Sequence, residues 1–374
     1  MRGRGEATLR GLYTAMQSGV GSLRRTRTSW WLKRKAEANL SALRSALPED
    51  AFSFDLSSAR AFLSSRFAGY QDVRWHLMYG AATSRHAGDY VPEDLFYIWI
   101  EPELNPPDRL APWREKNLAE LLGVVPAPVT YARVVRGRLV GVDRRPLPWS
   151  ALEAVLADAP DVVLKPARHT RQGRGLQRGA GAETFDRLRA LGFDQGAEDW
   201  VIQAAIDQHP AIARLNPSSL NTFRVLTIRL DGAIHVLSTV LKIGRAGAVL
   251  DNLSAGGLAV AVAGDGALAA TAHSVVGVPA IRHPDHGYLF GSERVPATDA
   301  IHDACRAAHD ALPELDLVSW DAAMSADSTA VLVEANVFEQ GVSIHQLCTG
   351  PLFGELTDRI LRPRRVRMFG PWLR

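Results

Sequence analysis

The residues best suited to chemistry lie late in the chain, in LVSWDAAMSADSTAVLVEANVFEQG, residues 317 to 341. Two apolar runs rich in β-branched residues flank a small polar turn around Asp327 and Ser328, which is the pattern of a β-hairpin. Side chains alternate along a strand, so Val331, Val333, Ala335 and Val337 share one face and Ala330, Leu332, Glu334 and Asn336 the other. A turn symmetric about Asp327 and Ser328 sets Asp321 opposite Glu334, with Cβ atoms about 5 Å apart. Two facing carboxylates repel. A hard cation between them, with Asn336 as a neutral oxygen ligand, turns repulsion into coordination, and Mg²⁺ held by one or two carboxylates plus substrate phosphates fits this donor set. A half-exposed hairpin with a polar face writes the same alternation, so the pattern leaves both readings open.

The lysines form a second set. Only Lys33, Lys35, Lys116, Lys165 and Lys242 occur, against 38 arginines, and a lysine in such a chain marks a place that takes a compact ammonium over a guanidinium fork. Lys116 falls in the first turn of a helix expected to end at Gly123, where the positive end of the helix dipole makes it either an anion-binding residue or a plain surface lysine. Lys165 ends a short buried strand on which it shares a face with Val163, opposite Val162 and Leu164. Gly173 and Gly175 follow in a loop where backbone N–H groups can approach a phosphate, and Arg168, Arg171 and Arg174 add positive field. This loop matches neither a P-loop nor a dinucleotide fingerprint, and a mobile basic loop reads the same way.

These residues need elements to position them. Helix is expected over residues 1 to 50 and 52 to 66, an extended aromatic stretch over 90 to 110, a hairpin turning near Gly137, and a helix over 149 to 158. Arg224 sits in a long strand over 221 to 230. After a turn at Gly232 comes the strand carrying Lys242, then DNLSAGG with Asn252, a break at Gly256 and Gly257, and another strand. Successive strands with short turns predict an antiparallel sheet ending at the opening hairpin, with Arg224, Lys242 and Asn252 able to line one face. His283 and His286 have no trustworthy metal spacing and read as a loop, and His345 with Cys348 reads as structural.

A chain of 374 residues with 47% hydrophobic content can bury two or three lobes. No apolar run reaches the roughly 18 residues of a membrane span. The net charge of +3 divides unevenly: residues 1 to 50 hold ten Lys/Arg against four Asp/Glu, and residues 361 to 374 hold five Arg and no acid, leaving −8 between them. An acidic body with basic ends argues against a nucleic-acid groove and for ends that meet an anionic surface such as a membrane, or are simply solvated. Trp30 and Trp31 beside Lys33, Arg34 and Lys35 resemble an interfacial segment, although packing of this helix on the body accounts for them equally. Two cysteines with no CxxC pair and no secretory signal pattern point to the cytoplasm, with peripheral membrane contact through the basic ends as an addition.

With these residues in place, the chain resembles the ATP-grasp superfamily, and more closely the sugar-transfer associated ATP-grasp proteins found near bacterial polysaccharide biosynthesis genes. The likeness runs over residues 90 to 355. It rests on YVPEDLFYIWIEPELN, EKN at residues 115 to 117, VLKP around Lys165, IDQHP around His209, SLNTFRVLTIR around Arg224, DNLSAGG around Asn252, and WDAAMSADSTAVLVEAN. The thirteen-residue step from Asp321 to Glu334, then two to Asn336, matches the metal-binding pattern of ATP-grasp ligases.

The resemblance implies an α+β protein of the ATP-grasp fold, two α+β lobes sandwiching ATP behind a basic helical extension. Its expected divisions are 1 to 50 (the extension), 51 to 150 (an N-terminal lobe), 151 to 208 (a central lobe with a phosphate-covering loop), 209 to 360 (a C-terminal lobe with the metal site) and 361 to 374 (a basic tail). It further implies ATP held by Lys116, Lys165, Gly173, Gly175 and Gln203, with Asp207 as the nearest substitute for a ribose-binding acid where Ala204 and Ala205 stand. Mg²⁺ would lie on Asp321, Glu334 and Asn336, with Arg224 and Lys242 facing the γ-phosphate or the acceptor. The implied activity is ATP- and Mg²⁺-dependent ligation of a carboxylate, activated as an acyl phosphate, to an amine, in surface polysaccharide biosynthesis or modification, on a small-molecule or glycan-linked acceptor. A kinase of the same fold, or a nucleotide-binding module without chemistry, are the alternatives.

Overall fold

Strand alternation builds most of this molecule, and a computed structural model describes residues 27–110, 112–114, 126–168, 175–190, 198–296 and 298–365. The chain divides into two units: Met1–Glu103 with Val276–Val278 and Gly350–Arg374, and Leu104–Val275 with Pro279–Thr349.

In the first unit a helix over 27–46 buries Leu32, Ala36, Leu40 and Leu43, spaced three or four apart as one stripe of an amphipathic helix requires. Helices Ser57–Arg66 and Arg74–Thr83 follow, and β1 (Phe67–Ala68) pairs in parallel with β14 (Arg364–Arg365). The aromatic stretch expected to be extended is helical instead: Glu93–Leu95, a widened π turn Phe96–Ile100, and Glu101–Leu104. Leu95, Phe96, Ile98 and Ile100 are all buried. Glu93, Asp94 and Glu101 are buried beside them, so burial here does not follow an apolar amphipathic period, and Pro102 follows the widened turn, where the hydrogen-bond ladder is already interrupted.

The second unit holds two antiparallel sheets. The smaller has β2 (Thr130–Val135), β3 (Arg138–Val140), β4 (Val162–Pro166), β5 (Gln177–Gly179) and β6 (Trp200–Ala204) in the order β3-β2-β6-β4-β5. The turn after β2 is the expected one, with positive φ at Arg136 and Gly137. Val162, Leu164, Ile202, Ala132 and Val134 pack on Leu152, Leu156, Phe185 and Leu188 of two covering helices. Strands from both sides of residue 150 share this sheet, so the division expected there falls inside it.

The larger sheet has β7 (Phe223–Leu230), β8 (Ala233–Ile243), β9 (Leu258–Val262), β10 (Leu268–His273), β11 (Pro279–Ala280), β12 (Leu317–Met324) and β13 (Ala330–Asn336), in the order β11-β10-β9-β8-β7-β12-β13. The predicted hairpin is thus its far edge. One face, with Phe223, Val225, Leu241, Val260, Val318 and Trp320, buries Ile301, Cys305 and Ala308 of helix Asp299–Asp310. Helix Val342–Thr349 meets the other face.

The hairpin reaches its expected register by an unexpected route. Met324 pairs with Ala330, Ala323 with Val331 and Ala322 with Leu332, which centres the turn on Asp327 alone. Continued unbroken, that register would put Val333 opposite Asp321. A bulge between the Asp321 and Ala322 pairings absorbs Val333, and Asp321 faces Glu334 after all. The strict alternation expected for this strand therefore fails at Val333. Ala330 and Leu332 join the core before the bulge, and Ala335 and Val337 after it. One extra residue has moved Glu334 and Asn336 to the polar face, because a single-residue slip exchanges the faces of a strand.

Candidate active site

Strand order assembles a row of charge. Arg224 on β7 is the register partner of Asp321 on β12, and Asp321 is in turn the partner of Glu334 on β13. Lys242 lies two residues beyond Val240, which is Arg224's partner on β8. Four ionisable groups from two hairpins distant in sequence therefore share one end of the face opposite the main core.

Their contacts are specific. Arg224 grips Asp321 with two bonds, Nε to Oδ1 at 3.0 Å and Nη2 to Oδ2 at 2.7 Å. Lys242 Nζ lies 3.0 Å from Asp321 Oδ1 and 3.6 Å from Asp251 Oδ1. Asn336 donates Nδ2 to Asp321 Oδ2 at 3.2 Å. Burial pushes the Asp321 carboxyl up, but Arg224 and Lys242 outweigh it and hold the group well below the usual carboxylate range. For Asp251, burial dominates and raises the carboxyl despite Lys242 and a bond from the Thr222 backbone N–H at 2.8 Å.

Behind the row, His345 is fully buried between two hydroxyls, with Ser238 Oγ 2.6 Å from Nδ1 and Ser319 Oγ 3.5 Å from Nε2. Burial, with Arg224 adding to it, pushes its pKa down to about 3, so the ring is neutral. Cys348 donates to the Ala259 carbonyl at 3.4 Å, which supports the structural reading of both residues.

Sequence reasoning placed Asp321, Glu334, Asn336, Arg224 and Lys242, and the structure brings all five together. It turns Arg224 and Lys242 onto Asp321 and not outward, because a buried carboxylate facing another needs counter-charge close at hand. Asn336 presents its amide N–H₂ to Asp321 where an oxygen ligand was expected. Rotating that amide exchanges the two roles. The Asn252 side chain accepts from the Ser254 backbone N–H at 3.0 Å and caps a short turn. Asp251, Ser238 and Ser319 were missed, and Asp251 had a signal in standing beside Asn252 in DNLSAGG.

As a cation site the cluster has a suitable donor set: two carboxylates on adjacent strands and one amide, all hard oxygen donors. Among the charged groups named, two cations face three carboxylates, so a further positive charge is electrostatically favourable. Among the described residues no group of three or more His, Cys, Asp or Glu could hold a metal ion, and a site here would draw on the Asn336 amide and on substrate oxygens.

The nucleotide-binding candidates lie on the smaller sheet. Lys165 and Val163 share the face opposite its core, with Val201 and Gln203 as their register partners on β6. Gln203 is buried and donates to Thr130 Oγ1 at 3.1 Å. Arg133, buried and also opposite Val201, belongs to the same face and was missed. Gly175 has φ 78°, and a Cβ there would meet Pro166 Cγ at 2.9 Å, so packing against the strand already requires glycine. Arg168 pairs with Asp199 at 3.2 Å and is not simply a source of loop field. Lys116, Gly173, Arg171 and Arg174 lie outside the described residues. Asp207 has an exposed side chain, and its carbonyl accepts from Ala326 at 2.8 Å, beside the hairpin turn. Ala326 and Asp321 are five residues apart on the hairpin, so Asp207 stands at the opposite end from the metal candidates, about 15 Å away along the strand.

A model of sugar-transfer associated ATP-grasp proteins matches residues 100–360. The chain belongs to this family. The α+β architecture and antiparallel sheets are those of an ATP-grasp member, as expected. Distant likenesses to solved structures accompany the match. They include a D-cycloserine synthetase (16% identity, 69% of this chain and 73% of that one, TM-score 0.39). An L-amino acid ligase from Bacillus licheniformis also aligns (18%, 68% and 48%, 0.37), as does D-alanyl-alanine synthetase A from Vibrio cholerae (11%, 68% and 63%, 0.40). The last two are covered over less than two thirds of their own length. No curated protein matches the chain.

Proposed function

We propose that this ATP-grasp chain is an ATP- and Mg²⁺-dependent ligase that activates a carboxylate by phosphorylation and passes the acyl group to an amine, in the making or modification of bacterial surface polysaccharide. The observation that carries the reading is the row Arg224, Asp321 and Glu334, with Lys242 and Asn336 beside it, in a member of a family described by ATP-grasp and by sugar transfer. Asp321, Glu334 and Asn336 would hold the metal, whose charge offsets that of the phosphate oxygens. Lys165 and Gln203 would bind the nucleotide from the smaller sheet, with Lys116, Gly173 and Gly175 contributing on the sequence reading and Asp207 as the ribose-side candidate. Arg224 and Lys242 would orient the transferred phosphoryl group or the acceptor while still holding Asp321 ionised. Phosphoryl transfer asks mainly for position and fixed charge, so no protein nucleophile is needed.

The test is a trapping experiment. With ATP, Mg²⁺ and a panel of sugar acids and amino acids, hydroxylamine should intercept the activated carboxylate as a hydroxamate, with one ADP formed per hydroxamate. Formation of ADP with a stable phosphate ester and no hydroxamate would make the chain a kinase. If no substrate in the panel is phosphorylated although ATP binds, the reading becomes a nucleotide-binding module. Glu334→Gln should lower Mg²⁺-dependent turnover by about 10²–10³-fold, and full turnover in that variant would overturn the metal assignment.

A further inference from the structure

The helix over 27–46 uses one stripe for the core and carries a different chemistry on its outward side. Leu32, Ala36, Leu40 and Leu43 face inward, while Trp30 is 51% and Trp31 56% exposed. Arg27 and Arg34 are exposed on the same outer side, and the Arg34 guanidinium lies over the Trp30 ring at 4.7 Å from its centroid. Trp30, Lys33, Arg34, Glu37 and Arg74 line a cavity of about 500 Å³. Arg74 is bound by Asp72 and Glu37, so the positive excess of this face rests on Arg27, Lys33 and Arg34.

Two large exposed indoles next to arginine and lysine are costly to leave in water and are poorly matched to a purely electrostatic partner. Indoles settle at the boundary between lipid headgroups and acyl chains, and the long cationic side chains beside them reach back to anionic headgroups. The wider charge agrees with this. In sequence, residues 1 to 50 hold ten Lys/Arg against four Asp/Glu. No described helix is long and apolar enough to cross a membrane, so contact of this kind would be peripheral. We propose that the outward face of this helix, centred on Trp30, Trp31, Lys33 and Arg34, docks the protein on an anionic lipid surface. The proposal stands independently of the ligase reading, since none of these residues belongs to the candidate active site.

Full-length protein is sedimented with phosphatidylcholine vesicles, with and without phosphatidylserine, at low and high salt. Wild type is expected to pellet with the anionic vesicles, less so as salt rises. Replacing both indoles, Trp30→Ser with Trp31→Ser, is expected to lower partitioning about tenfold or more at either salt. Lys33→Glu with Arg34→Glu is expected to abolish the preference for phosphatidylserine, since each basic residue near an anionic surface adds roughly fivefold. An unchanged melting temperature checks that the variants fold, which their surface positions favour. Equal sedimentation of wild type and the indole variant would overturn the proposal and assign any binding to the basic termini alone. A change in oligomeric mass of the indole variant, with vesicle binding unaltered, would also overturn it and make the face a contact between copies of the chain.

Discussion

The two sheets of the second unit handle charge in opposite ways. On the seven-stranded sheet, Arg224, Lys242 and Asn336 all bond to Asp321. On the five-stranded sheet, Lys165 and Gln203 have Val201, Val163 and Thr130 as register partners. The first arrangement is one in which charge is held by the fold. In the second, Lys165 and Gln203 stand on the face proposed to take the nucleotide. Stability and ligand response should therefore separate between the two sheets.

The largest effect is expected at Asp321. The Asp321, Arg224 and Lys242 side chains are only 10%, 17% and 11% exposed, and removing one partner of a buried ion pair leaves the others uncompensated. Asp321→Ala should lower unfolding free energy by about 3–5 kcal/mol in urea titrations, and a loss below about 1 kcal/mol would mean that the cluster is solvated after all.

Lys165→Ala sharpens the contrast from the other side. In this variant stabilisation by Mg²⁺-ATP, about 2.7 kcal/mol at a hundredfold excess over Kd for wild type, should largely vanish. A wild-type melting temperature unmoved by Mg²⁺-ATP would remove the nucleotide site from the comparison.

Acid should act on the larger sheet through its histidines first. Burial pushes His345 down to about 3 and His309 to about 4, while in the unfolded chain each takes a proton near pH 6.5. The unfolded state therefore binds more protons as pH falls below about 6.5, and stability declines through that window, by up to about 1.4 kcal/mol per pH unit for each histidine. Asp321 has the opposite placement in pH: held below its usual range, it keeps its contribution down to about pH 4 and loses it only below that. His345→Gln should flatten the slope between about pH 6.5 and 4 by one proton's worth, measured by denaturant unfolding at successive pH values.

The smallest effect belongs to Arg168, whose side chain is 53% exposed where it meets Asp199 on the smaller sheet. Arg168→Ala should cost about 0–1 kcal/mol. A larger loss in thermal unfolding would show that this sheet, too, depends on a fixed ion pair.

How much of this was legible beforehand follows from the range of each signal. Alternation and turn residues wrote the hairpin after Gly137, the strand ending in Lys165 and the run of strands from residue 223 onward, because both signals are local. The aromatic stretch over 90–110 was misread because burial there takes in Glu93, Asp94 and Glu101 along with the apolar side chains, which leaves no amphipathic period. The facing of Asp321 and Glu334 was read correctly from a symmetric turn that the protein does not have; the turn centres on Asp327, and the bulge at Val333 restores the register.

The sequence by itself determined which residues could coordinate, carry charge and form strands, since these follow from side-chain chemistry and a period of two. Only the tertiary structure decided that β7 lies between β8 and β12, which sets Arg224 beside Asp321 across 97 residues of chain and brings Lys242 and Asp251 to the same carboxylate. Strand order is fixed by the competition of whole faces for burial, and no local pattern records its outcome.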